Sequence, residues 1–247
     1  MIEAKGPHAA KVALVTGASR GLGRELSAFL AARGYAVVIT SRGAHELSTA
    51  ARELEKKGAL VVAIQGDVAD EKHRKRLVDA AAALGRLDLL VNNASELGPT
   101  PLPSLAEATA ADLRHVLEVN LVAPLALVQK ALPLLLRSKG LVVDISSDAA
   151  VGGYAGWGLY GSSKAALDLA TKTLASELKA QGVAAVSVDP GDMRTKMHQD
   201  AYPGQDISDR PMPDVTLPFF AWLLSQDPMK LSGARFQAQS SLWEVPA

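Results

Sequence analysis

The chain of 247 residues contains no cysteine, which excludes disulfide bonds, thiolate catalysis and cysteine-ligated metal sites. Its 26 basic residues balance its 26 acidic ones, so the charge gives no sign of a nucleic-acid or anionic-membrane partner. Histidines are few and lack metal-ligand spacing, so we expect no metal site. They are His8, His45, His73, His115 and His198.

Long apolar runs are also scarce. The N-terminal sequence MIEAKGPHAAK lacks the apolar stretch of a signal peptide. The most apolar region, 121–136, contains Lys130 and two prolines, and we expect it to fall short of a membrane span. These features favour a cytoplasmic protein without membrane association. The length fits one large α/β domain, which we expect to cover residues 1–247.

Short β-branched apolar runs alternate with segments of helical periodicity. The predicted strands cover 11–16, 35–40, 60–65, 87–91, 141–145, 183–188 and 234–237. The predicted helices follow the first strand to about 33 and then cover 45–57, 71–84, 110–136, 160–181 and 214–225. Continuously apolar strands are typical of a parallel sheet covered by helices on both faces. The segment 192–213 has no clear period, and we interpret it as a mobile lid.

Unusual residues follow the ends of the predicted strands, where ligands of parallel sheets bind. Gly17, Gly21 and Gly23 come after the first strand, in the spacing G-x-x-x-G-x-G, and open a helix. Such a loop lets the backbone approach a pyrophosphate, and the helix N-terminus supplies free N–H groups. The spacing alone is weak evidence because turns are rich in glycine, but its position between strand and helix favours a dinucleotide site.

The second strand ends in Ser41 and Arg42, and Arg20 lies in the glycine loop. NAD-binding proteins often place an acidic residue after this strand, whereas an arginine fork suits a 2′-phosphate. The pattern therefore predicts NADP(H) rather than NAD. The alternative is a pair of solvated arginines near a helix start.

The stretch from Ser147 to Lys164 carries the candidate chemistry. Tyr160 and Lys164 are four residues apart, so a helix would place them on one face. A nearby ammonium would lower the tyrosine pKa toward neutrality, which suits a proton donor and acceptor. Ser147 follows a strand and could hydrogen-bond the same substrate oxygen. The alternative is an ordinary pair on a solvated helix face.

Asn120 lies inside a predicted helix, four residues before Pro124. Because proline has no N–H, the Asn120 carbonyl lacks its normal partner and could hold a water. The alternative is a polar residue that faces solvent or hydrogen-bonds back to its own helix.

Together these motifs resemble the short-chain dehydrogenase/reductase family, in its compact single-domain branch, over essentially the whole chain. The resemblance lies in T-G-A-S-R-G-L-G at 16–23, Asp67, N-N-A-S at 92–95, Asn120, Ser147, Y-G-S-S-K at 160–164 and P-G at 190–191. It implies a Rossmann-type sheet of about seven strands in the order 3-2-1-4-5-6-7, and a nicotinamide cofactor. It also implies a tetrad in which Tyr160 is the acid/base and Ser147 positions the substrate oxygen. In that tetrad Lys164 binds the nicotinamide ribose, and Asn120 holds a proton-relay water.

The interpretation assigns further residues to the cofactor and the substrate. The cofactor-binding set is Gly17, Ser19, Arg20, Gly21, Leu22, Gly23, Ser41, Arg42, Asp67, Val68, Asn93, Ala94, Tyr160, Lys164, Pro190, Gly191, Met193 and Thr195. The alternative for Asp67 is a helix cap, and the alternative for Thr195 is a loop threonine that caps the following turn. Tyr154, Trp157 and Met197 are expected to line a largely apolar substrate pocket, with plain core packing as the alternative.

Two departures from the family pattern stand out. Ser95 replaces a usual glycine, and we expect it to alter the loop on the adenosine side. The C-terminus lacks the Asp-Gly-Gly ending common in tetrameric members. The helices at 110–136 and 160–181 are nevertheless apolar nearly all round, and the family pairs them across a two-fold axis, so we expect at least a homodimer.

The sequence thus predicts an NADP(H)-dependent oxidoreductase. It would transfer a hydride between nicotinamide and a carbonyl or secondary alcohol of a small, largely apolar substrate. The alternative is a non-catalytic NADP-binding regulator on the same fold, against which the intact tetrad argues.

Overall fold

The structure, a computed structural model, describes residues 10–246. The expectations for His8 and for most of the N-terminal segment concern residues outside that range. The described residues form a parallel sheet of seven strands in the order β3-β2-β1-β4-β5-β6-β7. This order confirms the predicted fold class. The strands are β1 Val12–Thr16, β2 Ala36–Ser41, β3 Val61–Gln65, β4 Leu89–Asn92, β5 Leu141–Ile145, β6 Ala184–Asp189 and β7 Arg235–Gln237.

Helices cover both faces of this sheet. They are α1 Gly21–Ala31, α2 Ala44–Lys56, α3 Glu71–Ala83, α4 Ala110–Leu117, α5 Ala123–Ser138, α6 Gly158–Leu178, α7 Lys196–Ala201, α8 Leu217–Ser225 and α9 Pro228–Leu231. Successive residues of β1 point to opposite faces, Ala13 and Val15 to one core and Val12 and Leu14 to the other. Helices α1, α2 and α8 cover the first core, and α3, α5 and α6 cover the second. The inner strands β1, β4, β5 and β6 are buried along their whole length, which accounts for their largely apolar sequences, whereas the edge strand β3 is partly exposed.

The prediction of a single regular helix over 110–136 is wrong in one detail, the hydrogen bonding in its middle. Residues Glu118–Val122 form a π-helical turn between α4 and α5, and the N–H of Ala123 donates to the carbonyl of Glu118. Pro124 follows directly and has no N–H to offer the Asn120 carbonyl. A wider turn at this point keeps the helical path continuous despite the missing donor, and π-turns are frequent at functional sites.

The continuous helical stretch Ala110–Ser138 is long and apolar enough to cross a membrane by length and composition. This result corrects the expectation that its apolar part falls short of a span. Half of its most apolar window is buried inside the protein, where Leu127, Ala131 and Leu135 join the core beneath β1 and β4. Burial of one face of α5 against the sheet thus explains the apolar residues on that face.

The start of α1 packs unusually close to the end of β1. A Cβ atom on Gly23 would lie 2.5 Å from the carbonyl oxygen of Gly17 and 2.5 Å from Asn93 Nδ2. Real Cβ atoms do not approach that closely, so this position accepts only glycine without a backbone shift.

We predict that Gly23→Ala lowers the free energy of unfolding by about 1–3 kcal/mol, because the added methyl group overpacks the β1–α1 junction. The measurement is urea denaturation followed by circular dichroism. Gly153→Ala is the matched control, since nothing lies within 4 Å of its added Cβ. Equal stability of the two variants would contradict this account of the junction.

Candidate active site

The glycine loop lies at the carboxyl end of β1 and leads into α1. Gly17 and Gly21 have positive φ angles of 68° and 53°, which favour glycine. Arg20 is the N-cap of α1, and its side chain makes no capping hydrogen bond. The first N–H groups of α1 therefore face the cleft without a side-chain acceptor, an arrangement that fits a pyrophosphate. Ser19 and Leu22 line the same cleft.

Residues after β4 hold this loop in place. Asn93 Nδ2 donates to the carbonyls of Thr16 at 2.8 Å and Gly17 at 3.2 Å. The backbone N–H groups of Asn93 and Ala94 both donate to Thr16 Oγ1, at 3.0 and 2.9 Å. The Asn93 side chain thus shapes the cofactor end of the cleft through the loop, because its amide is used on backbone carbonyls.

Ser41 and Arg42 come at the end of β2 and line the cleft opposite Arg20. Arg42 Nη2 lies 3.1 Å from Glu96 Oε2, and the Arg42 side chain is 57% exposed. Glu96 follows the N-N-A-S motif, and the sequence analysis did not assign it. Arg42 therefore already has a carboxylate partner, and such an exposed ion pair contributes little to stability.

Asp67 and Val68 follow β3 at the same edge of the sheet. Asp67 Oδ1 accepts from the N–H of Ala69 at 2.9 Å and so closes a turn. The helix cap of α3 is instead Asp70, which accepts from the N–H of Lys72. The alternative reading of Asp67 as a helix cap is therefore wrong, and Val68 is buried beside it.

Ser147, Tyr160 and Lys164 meet where β5 ends against α6. Lys164 is 1% exposed, and its Nζ donates to the carbonyl of Ile145 at 2.7 Å and lies 5.5 Å from the centroid of the Tyr160 ring. Ser147 Oγ donates to Asp148 Oδ1 at 3.0 Å. It also accepts the N–H of Ala149 at 3.2 Å. Ser147, Tyr160 and Lys164 line one cleft with the glycine loop.

The pKa values of this pair differ from the expectation. Burial raises the pKa of the Tyr160 hydroxyl, hydrogen bonds with Ser95 and Ser147 lower it, and the Asp189 and Asp148 carboxylates raise it. We predicted that Lys164 lowers the Tyr160 pKa toward neutrality, and this is wrong. Desolvation of the Tyr160 hydroxyl is the largest effect, and the Lys164 ammonium donates to a backbone carbonyl instead. Tyr160 is therefore a neutral phenol at pH 7.

Burial also lowers the pKa of Lys164, from 10.5 to about 8, although the Asp144 and Asp168 carboxylates oppose this shift. Asp144 is itself buried in β5, where it accepts from Asn92 Nδ2 and Thr171 Oγ1, both at 2.7 Å. At neutral pH Lys164 remains mostly protonated. It is a cation held under the cleft by one carbonyl and two nearby carboxylates.

Asn120 is fully buried, so the alternative of a solvent-facing residue is wrong. Its Nδ2 donates to the Glu96 carbonyl at 2.8 Å and to Ser163 Oγ at 2.9 Å. Its Oδ1 accepts from the Glu96 N–H at 2.8 Å and from Ser95 Oγ at 3.1 Å. The side chain thus joins the loop after β4 to α6. A hydrogen bond with Ser95 also lowers the pKa of Tyr160, so this serine lies near the tyrosine. Its expected effect on the loop at the adenosine side stays a prediction.

The segment 192–213 contains the short helix α7, which the sequence did not reveal. Six helical residues are too few to show a period. The segment closes on itself, since the Arg194 N–H donates to the Pro211 carbonyl at 2.7 Å and Arg210 Nε lies 3.3 Å from Asp192 Oδ2. Its mobility stays a prediction. Pro190, Gly191, Met193, Thr195 and Met197 all line the cleft.

Thr195 also caps α7, because its Oγ1 accepts from the N–H of His198 at 3.2 Å. The capping interpretation is thus confirmed, and the residue lines the cleft as well. His198 also lines the cleft, and the sequence analysis missed it. A helix as short as α7 shows no periodicity from which the burial of His198 could be predicted.

Aromatic side chains form one wall beside Tyr160. The Trp157 ring lies 5.7 Å from the Tyr160 ring, edge to face, and 6.1 Å from the Tyr202 ring. Met197, Leu97 and Leu102 belong to the same apolar cluster. Tyr154 is half exposed at the rim. The whole cleft has a volume of about 880 Å³, enough for a dinucleotide and a small substrate.

Within residues 10–246, no group of three or more His, Cys, Asp or Glu side chains is arranged to hold a metal ion.

A parallel sheet with a glycine loop at its carboxyl edge and a buried Tyr-Lys pair is typical of dinucleotide-binding oxidoreductases. Residues 11–206 match the family model described as short chain dehydrogenase. The Escherichia coli oxidoreductase YciK is 32% identical over 234 residues, 93% of this chain and 92% of its own. The Staphylococcus aureus 3-oxoacyl-(acyl-carrier-protein) reductase FabG is 36% identical over 184 residues, 73% of this chain and 74% of its own. A Shigella flexneri short-chain dehydrogenase complexed with NADP has a TM-score of 0.86 at 31% identity, covering 93% of this chain and 97% of that one. The chain belongs to the short-chain dehydrogenase family of oxidoreductases.

We predict that Lys164→Met flattens the pH dependence of stability. The lysine pKa is about 8 in the folded protein and 10.5 as the ordinary value. Between these values the unfolded chain binds more protons, so the lysine makes wild-type stability rise with pH. Urea denaturation at three pH values from 7.5 to 9.5 measures this slope, below the range where tyrosine ionises. Lys172→Met, exposed on the same helix, is the control. Parallel curves for wild type and Lys164→Met would contradict the burial argument.

Proposed function

We propose that the protein is an NADPH-dependent reductase of carbonyl groups in small, largely apolar substrates, of the carbonyl reductase or alcohol dehydrogenase type. The observation that carries this proposal is the shared cleft, in which the neutral Tyr160 hydroxyl faces the same space as the glycine loop. The likeness to an NADP-complexed member of the family supports the choice of cofactor.

The cleft offers each part of NADPH a chemically suitable partner. The N-terminus of α1 would hold the pyrophosphate, Arg20, Ser41 and Arg42 the 2′-phosphate, and Asp67 and Val68 would flank the adenine. Lys164 would bond the nicotinamide ribose. The remaining contacts to the nicotinamide half would come from Asn93, Ala94, Pro190, Gly191, Met193 and Thr195. When bound, the cofactor supplies a hydride to the substrate carbonyl carbon.

Tyr160 would act as the acid. Because burial keeps its hydroxyl protonated at neutral pH, it can donate a proton to the substrate oxygen as negative charge develops there. The opposite direction needs a phenolate, which burial disfavours.

Ser147 and Asn120 would assist Tyr160 from opposite sides. The Ser147 hydroxyl donates to Asp148 and has to rotate to donate to a substrate oxygen instead. The Asn120 side chain is fully engaged in holding the loop after β4. Its proposed relay water would therefore bind the backbone carbonyl rather than the amide.

The substrate would lie between Tyr160 and the wall that contains Trp157 and Met197, with Tyr154 at the rim. This wall is mainly aromatic and aliphatic, which suits an apolar body around the reacting carbonyl. Asp148 at the rim is exposed and would disfavour anionic substrates.

We further propose a cytoplasmic enzyme in which residues 1–247 form one domain, assembled at least as a homodimer. The exposed Val122 and Leu169 lie on the helical layer that the family pairs, with exposed fractions of 43% and 67%. Apolar side chains on these outer faces support a partner subunit.

We predict that Tyr160→Phe retains NADPH binding and lowers kcat by several orders of magnitude, because one hydroxyl leaves a preformed site. NADPH fluorescence measures binding, and NADPH oxidation with a panel of aldehydes, ketones and quinones measures turnover. Tyr35→Phe is the matched control, since Tyr35 also has a pKa raised by burial but lies before β2, at the opposite edge of the sheet. Near-normal turnover of Tyr160→Phe would refute the mechanism.

We predict that the wild type prefers NADPH to NADH by about a hundredfold or more in kcat/KM, because two charge-assisted contacts are lost with NADH. The double variant Ser41→Asp/Arg42→Ala should reverse this order.

Glu96→Gln should improve kcat/KM for NADPH by up to about fivefold, since Arg42 no longer has to leave an ion pair. All are measured at one ionic strength. A wild type that prefers NADH would show that the arginines do not select the cofactor.

A further inference from the structure

Arg235 reaches the back of the active site from the last strand of the sheet. Its Nη2 donates to the carbonyl oxygen of Ser147 at 2.7 Å. Its Nε donates to Asp168 Oδ2 at 2.9 Å, and Nη2 also lies 3.3 Å from Asp189 Oδ2. The guanidinium is three-quarters buried, and both carboxylates are more buried still. Arg235 does not itself line the cleft.

The three partners of Arg235 belong to three different parts of the site. Ser147 comes just after β5, and Asp168 lies on α6 one helical turn beyond Lys164. Asp189 ends β6, and its Oδ1 accepts the N–H of Gly191 at 3.0 Å. One planar guanidinium thus ties the serine backbone, the tyrosine-lysine helix and the loop after β6 to one another. Lysine could not replace this geometry, because its single ammonium lacks the rigid fork.

We propose that Arg235, with Asp168 and Asp189, is a positioning residue that fixes the Ser147 backbone relative to Tyr160 and sets the electrostatic field of the site. The proposal rests on the proposed function above. It assigns Arg235 no contact with substrate or cofactor. A shift of the reacting groups by about 1 Å can cost roughly a hundredfold in rate, so loss of this backbone anchor should lower turnover.

The electrostatic part of the argument follows from the groups around Tyr160. The Asp189 and Asp148 carboxylates disfavour ionisation of the Tyr160 hydroxyl, whereas hydrogen bonds with Ser95 and Ser147 lower its pKa. Lys164 lies beside the ring, and its own neighbours are Asp144 and Asp168. Arg235 is the cation that pairs with both Asp168 and Asp189. Its loss would leave the Asp168 carboxylate beside Lys164 without its cation, which favours the protonated ammonium and raises the pKa of Lys164 from about 8.

The test compares Arg235→Met and Arg235→Lys with the wild type, using a carbonyl substrate that the wild type reduces. Arg235→Met should lower kcat by about tenfold or more. It should also move the fall of kcat/KM at alkaline pH to higher pH, because Lys164, which would bond the nicotinamide ribose, then keeps its proton to higher pH. Arg235→Lys keeps the charge and loses the fork, so it should restore the wild-type pH profile with kcat still reduced by about threefold to tenfold.

Arg86→Met is the matched control. Arg86 forms a two-bond pair with Asp88, at 2.8 and 2.5 Å, just before β4 at the opposite edge of the sheet. This variant should lose stability without any change in pH profile. A wild-type pH profile and kcat in Arg235→Met would overturn the proposal and leave the proposed function intact. If Arg235→Met does not fold, wild-type kcat in Arg235→Lys would overturn it instead. Absence of carbonyl reduction by the wild type is a separate result that concerns only the proposed function.

Discussion

The structure depends on the burial of one ammonium group beneath the cleft. Lys164 is almost completely inaccessible and donates to the carbonyl of Ile145. Burying a charge is costly unless partners compensate it. Here the compensating groups form a series in which negative and positive side chains alternate. Asp168 faces Lys164, Arg235 pairs with Asp168, and Asp189 pairs with Arg235. This series of charges connects α6, β7 and the end of β6 under the site.

The same burial determines the chemistry above it. Desolvation keeps Tyr160 protonated, so the site has an acid ready for a developing alkoxide. The cleft then divides into two parts of different character. Backbone N–H groups and arginines form one end, and Trp157 with its apolar neighbours forms the other. A charged cofactor and an apolar substrate body would each meet a surface of matching polarity.

Much of this arrangement could be predicted from the sequence. The order of strands and helices followed from alternating apolar runs, and the glycine loop from its place between β1 and α1. Tyr160 and Lys164 were expected on one helix face because they are four residues apart, and Ser147 at the edge of the sheet because it follows a strand. These features depend on local residue patterns and on the order of strands and helices, both of which are visible in the sequence.

Other features depend on contacts between distant residues and could not be predicted. The Tyr160 pKa reflects total burial, which no local spacing encodes. Glu96 meets Arg42 only because the ends of β4 and β2 lie across one cleft. Ser95 was noticed as a departure, but its place beside Tyr160 depends on the buried Asn120 amide. The π-turn at 118–122 had a signal in Pro124, and the missing N–H was interpreted as a water site instead of a wider turn.

The most direct test of the account follows the hydride itself. Two samples of NADPH, each carrying deuterium at one of the two C4 positions, are incubated separately with the wild-type protein and a ketone that it reduces, and the product alcohol is analysed by mass spectrometry and NMR. The account predicts one deuterium on the carbinol carbon from one of the two samples, and none on the hydroxyl oxygen after exchange into water. Consumption of NADPH without deuterium at that carbon, from either face, would contradict it.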